Sequence, residues 1–175
     1  MVGEGRRIAR LSRGLPVALI GLVAAVLATP AAALNLTAQT NRGGRCHIYT
    51  SASRTGTVIK YGVKVNDCST RFGVRYIVSQ GALYDKTDQI RVADGDMDRK
   101  KGHPAYSNSR RVTGTDTSHA YQTVIDLSIV LKTRRDRSTR HPERWLDPGK
   151  RCRVTTTWHD GDTLGCTLND NLAPG

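Results

Sequence analysis

Nine basic residues fall between positions 132 and 153: Lys132, Arg134, Arg135, Arg137, Arg140, Arg144, Lys150, Arg151 and Arg153. They stand against only Asp136, Glu143 and Asp147. Arginine predominates, and its planar guanidinium fork matches the oxygens of phosphate, sulfate or carboxylate better than a lysine ammonium does. Trp145 stands among them as a flat surface on which a base or a sugar ring can stack. The chemistry expected is capture of a polyanion or an acidic protein face by Arg134, Arg135, Arg137, Arg140 and Arg144, with Trp145 stacking. The competing expectation for the same residues is a solvated charged loop with Trp145 packed into the core.

Acid–base chemistry has fewer candidates. The histidines are His47, His103, His119, His141 and His159, and Glu143 is the only glutamate after residue 33. Cleavage of a phosphodiester needs a base, an acid and a cation that stabilises the developing charge. His141, Glu143 and Arg144, with His119 or His159 as the second base, have the right types, but no spacing enforces that geometry. No Gly-x-Ser-x-Gly elbow, His-Glu-x-x-His helix or phosphate-cradling glycine loop is present, so no catalytic residue is assigned. Asp94-Gly95-Asp96-Met97-Asp98 alternates carboxylates as calcium loops do. It fails the EF-hand pattern, because Arg99 stands at the invariant glycine position and Ala105 at the bidentate glutamate. No metal and no cofactor is expected. Asn35-Leu36-Thr37 fits an N-glycosylation acceptor.

The elements that must position these residues begin with a leader. Arg6, Arg7, Arg10 and Arg13 precede an apolar run from Leu15 to Ala28 and the small-residue end Thr29-Pro30-Ala31-Ala32-Ala33. This is the pattern of a secretory signal peptide spanning 1–33, with an uncleaved anchor as the alternative; either reading places the remainder outside the cell. Of the formal charge of +12, removing four arginines and one glutamate leaves 23 − 14 = +9 on 142 residues, a single domain 34–175. Cys46, Cys68, Cys152 and Cys166 are an even set in an exported chain and read as two disulfides. No short Cys-x-x-Cys chelating pair argues for zinc. Sequential pairing closes the shortest loops, but the sequence leaves all three connectivities open.

The hydropathy period after the leader is two. Ile59, Tyr61, Val63 and Val65 alternate with Lys60, Gly62 and Lys64; Phe72, Val74, Tyr76 and Val78 do the same, and so do Ile125, Leu127, Ile129 and Leu131. Cys152, Val154, Thr156 and Trp158 form a further set that leads into His159-Asp160-Gly161, read as a three-residue turn. That turn pairs Trp158 with Asp162 and Val154 with Cys166. Cys46–Thr50, Ala82–Tyr84 and Ile90–Val92 are shorter strand candidates, and no helical period is sustained. The expected class is all-β: an antiparallel β-sandwich, immunoglobulin-like in broad architecture, with a small barrel as runner-up. Residues 94–118 and 132–150 read as long polar or charged connections, the kind that carry contact surfaces. The functional expectation is a secreted, non-enzymatic binding module. The alternatives are a basic nuclease-like hydrolase and an inhibitor of an extracellular enzyme.

Overall fold

A computed structural model describes residues 33–95, 98–132, 143–157 and 161–175. These form β1 (Asn35–Gln39), β2 (Arg45–Thr55), β3 (Val58–Ser69), β4 (Val74–Asp85), β5 (Ile90–Asp94), β6 (Asp98–Lys101), β7 (Tyr106–Val112), β8 (Tyr121–Leu131), β9 (Cys152–Thr157) and β10 (Gly161–Leu172). One sheet has the order β1-β2-β3-β7. The other has the order β5-β4-β8-β10-β9, with β6 also paired to β4, and every pairing is antiparallel. The two sheets pack face to face as a sandwich, not a closed barrel. The leader expected over 1–33, apart from its last residue, lies outside the described residues.

The period-two pattern becomes a pair of inner faces. Ile48, Ile59, Val63 and Val65 of the smaller sheet meet Ile77, Leu83, Ile125, Leu127, Ile129, Leu164 and Leu168 of the larger one, all buried in one core. Burying each such side chain stabilises the fold by roughly 1.5–3 kcal/mol before entropy is counted. Both disulfides lie between neighbouring strands, Cys46–Cys68 across β2 and β3 and Cys152–Cys166 across β9 and β10. Neither joins the two sheets, so the core and polar side-chain ties hold the layers together. One such tie is Arg54, 4% exposed, whose guanidinium donates to the carbonyls of His119, Ala173 and Asp116 while lying over the Tyr121 ring.

Three expectations need correction. First, the inner face of β4 is Ile77, Ser79, Leu83 and Asp85, rather than Tyr76 and Val78, which are half-buried. A bulge between Val74 and Tyr76 flips the parity of everything after it. Second, the β9–β10 register is Thr157 with Gly161 and Val154 with Leu164, which puts Cys152 directly opposite Cys166. The loop has three residues, as expected, but they are Trp158, His159 and Asp160, which lie outside the described residues, and Gly161 is in the strand. Third, residues 94–118 are not one long connection, because they contain β6 and β7.

Candidate functional site

The sequence-predicted basic cluster is only partly placed. Arg134, Arg135, Arg137 and Arg140 lie outside the described residues, as do His141 and His159. The segment from Glu143 to Asp147 runs along β1. Leu146 N–H donates to the Gln39 carbonyl, Asn41 N–H donates to the Arg144 carbonyl, Arg144 N–H donates to Asn41 Oδ1, and Trp145 bridges Thr40. Arg144 is exposed at this edge. Trp145 is 4% exposed and its indole N–H donates to the Ile129 carbonyl at 3.2 Å, so it packs in the core and is closed to a stacking ligand.

Glu143 is also structural. Its carboxylate accepts from the Thr40 hydroxyl at 2.7 Å and from Phe72 N–H at 3.2 Å, and the Thr40 oxygen in turn accepts from Gly44 N–H. A buried carboxylate with its lone pairs so engaged is a tie between three loops rather than an exposed acid catalyst.

His119 has a partner that the sequence does not reveal. Its Nδ1–H donates to Asp85 Oδ2 at 2.7 Å, while Asp85 Oδ1 accepts from the N–H groups of Thr87 and Asp88. The hydrogen bond to Asp85 raises the His119 pKa above the usual histidine range, against a smaller opposing effect of burial. For Asp85, burial pushes upward, but the bonds from His119, Asp88 and Thr87 together outweigh it and hold the carboxyl below its ordinary value. Asp85, Asp88 and His119 offer donor atoms within 4.8 Å of one another. Since three hydrogen bonds already occupy the Asp85 carboxylate, the cluster reads as a latch between the β4–β5 turn and the loop before β8. In the acidic turn, Asp94 pairs with Arg91, Asp96 lies outside the described residues, and nothing gathers a calcium ligand set around Asp94 among the described residues.

The feature that sequence reasoning missed is the outer face of the β1-β2-β3-β7 sheet. Pairing brings Arg45, Tyr49, Ser51, Ser53, Lys60, Gly62, Lys64, Ser107, Ser109 and Arg111 to one side, with Thr37 bonded to His47 beside them. No carboxylate occupies a paired position on this face; Asp67, the sole acidic residue of the four strands, sits in the β2–β3 bulge. Lys60 lies directly opposite Arg111. Like charges opposite one another in a sheet destabilise it, so this pair carries a cost that an anion seated between them would remove. Beside it runs a groove of about 530 Å³ lined by Ser51, Ser53, Lys60, Ser109 and Arg111, among others. No protein-family model, curated protein or solved structure matches the chain. The alternation Lys60-x-x-x-Lys64 was readable as a polar strand face, but Arg111 was hidden because β7 has no apolar period.

Proposed function

We propose that the protein is a secreted, non-enzymatic binding module for an anionic extracellular partner, with the outer face of the four-stranded sheet as its contact surface. The observation that supports this is a sheet face carrying Arg45, Lys60, Lys64 and Arg111, all exposed, with no acid in register with them. Lys60 and Lys64 are about 13 Å apart along β3, at roughly 3.3 Å per residue. One small anion cannot engage both, whereas a linear polymer can. Serine hydroxyls and Gly62 between the charges leave a shallow, smooth floor for such a chain. The two disulfides fit an oxidising compartment, and among the described residues no helix is long and apolar enough to cross a membrane.

Retention on immobilised heparin across a salt series tests this reading. For a linear polyanion each cationic contact contributes a log–log salt slope of about 0.7–0.9. Four contacts therefore predict an affinity loss of about 50- to 150-fold between 50 and 200 mM salt. The variant Lys60→Ala/Lys64→Ala/Arg111→Ala retains one contact and should lose only about threefold. No retention at low salt, or a variant with the parent's slope, overturns the assignment.

A further inference from the structure

On the inner side of β3, Tyr61 is 2% exposed, and its hydroxyl, beside the Arg110 guanidinium, meets no acceptor for its proton. An unmade bond on a buried hydroxyl is costly, and phenylalanine would fill the same space without it. Tyr61 lines a cleft of about 200 Å³ between the sheets, where β7 faces β4 and the β5–β6 bend. Three glycines shape it. A Cβ on Gly81 would come within 2.9 Å of the Tyr61 ring, one on Gly95 would meet the Gly81 backbone, and Gly62 is packed against the Asn108 carbonyl. Polar groups converge on the same space. Ser79 Oγ bonds the Tyr106 hydroxyl at 2.6 Å and accepts from the Asn108 amide at 3.0 Å, and Arg110 reaches across to the Asp94 carbonyl. Burial keeps the Tyr61 hydroxyl protonated well into alkaline pH, against the pull of the Arg110 guanidinium, so it remains a donor.

We propose that this cleft is a binding site for a small carboxylate-bearing ligand of about one sugar ring, its carboxylate accepting from the Tyr61 hydroxyl beside the Arg110 guanidinium. The size follows from a volume below the roughly 300–1,000 Å³ of pockets for drug-sized ligands. The charge follows from an O–H donor and a guanidinium side by side. The ring's hydroxyls meet Ser79, Asn108 and the backbone that the glycines expose. The site adjoins the outer face, since Tyr61 and Arg110 also line the groove beside Lys60 and Arg111, but it takes no contact from Lys60 or Lys64.

Glucuronate is the probe, followed by calorimetric titration and by amide shifts in NMR spectra, with glucose as the neutral ring of the same size. Saturable glucuronate binding is expected, at least tenfold tighter than glucose, weakened about 10- to 100-fold in Tyr61→Phe, as for loss of one bond to a charged group. Lys60→Ala/Lys64→Ala should bind glucuronate as the parent does, which separates this site from the outer face. An oligosaccharide ending in glucuronate, titrated in parallel, identifies the source: tighter binding than the monomer assigns a chain end, weaker binding a free acid, and both keep the site. Absence of saturable binding up to about 10 mM, where affinity falls below roughly 3 kcal/mol, assigns the cleft to solvent and overturns the proposal. Equal binding by Tyr61→Phe, or loss in the lysine variant instead, overturns it as well. Tyr61→Phe removes a hydroxyl that meets no acceptor and leaves the ring packing in place, so a folded variant is expected.

Discussion

Replacing Glu143 separates a structural carboxylate from a catalytic one. In Glu143→Ala, the Thr40 hydroxyl loses its acceptor inside the core, and Phe72 N–H loses its acceptor in a partly buried loop. An orphaned buried polar group costs about 1–3 kcal/mol, with the partly hydrated amide at the low end, so the sum is about 2–4 kcal/mol. Glu143→Gln keeps one acceptor oxygen but turns an N–H₂ toward the other donor, and should cost about 1–2 kcal/mol. Urea unfolding at neutral pH reads both, with unchanged slope and a lower midpoint if only the native state is affected. A second arm tests the network: Thr40→Ala and Glu143→Ala should cost less together than the sum of the singles, because each removes the group the other leaves unpaired. Glu143→Ala within about 0.5 kcal/mol of the parent would refute the structural reading. If Glu143→Gln instead abolished ribonuclease activity at unchanged stability, the carboxylate would be an acid catalyst and the hydrolase alternative would return.

Two further outcomes follow from the same geometry. His119 contributes stability that is full below its unfolded pKa of about 6.5 and is lost as pH rises through its raised folded value; Asp85's contribution is present above about 3.9 and is lost as pH falls through its depressed folded value. The gap in melting temperature between the parent and His119→Gln should therefore be widest between about pH 4 and 6.5 and shrink as pH rises beyond that; a gap independent of pH would rule out the charged latch. Gly95→Ala places a Cβ 2.7 Å from the Gly81 nitrogen and closer still to its carbonyl, so the backbone must shift at a cost of at least about 1–3 kcal/mol. Gly165→Ala, whose Cβ would meet nothing nearer than 3.9 Å, should instead stabilise β10 by about 0.5–1 kcal/mol, and equal effects of the two would contradict the close-approach argument.

The fold class was legible because β3 and β8 each bury one clean apolar row, and a period of two admits no helical reading. What escaped was local. A bulge at β4 leaves no mark in the sequence, since Tyr76, Ile77 and Val78 are all apolar in succession and either parity can be read from them. The β9–β10 register was displaced by two residues, a shift that leaves every side chain on its own face, so hydropathy is blind to it. The cysteines were the better signal: demanding that Cys152 sit opposite Cys166, within disulfide reach, selects the observed register directly. β7 was invisible for a different reason. Its central inward residues Asn108 and Arg110 are polar because they tie across the layers to Ser79 and to the Asp94 carbonyl, so the apolar row is broken between Tyr106 and Val112 and the period is lost.

That invisibility bears on the functional site. A strand polar outward and polar at the centre of its inward face presents Ser107, Ser109 and Arg111 outward while Asn108 and Arg110 complete the cleft inward, so β7 serves both proposed surfaces at once. Its polarity has a cost, because the inward face forgoes apolar burial of about 25 cal/mol per Å². It also sets Arg111 against Lys60, where a neutral residue would pair more favourably. Stability alone would replace Asn108, Arg110 and Arg111 with apolar and neutral residues, as β8 illustrates along Ile125, Leu127 and Ile129. Departures from that pattern concentrated in one edge strand, on both of its faces, are where a fold built for stability gives way to one built to bind.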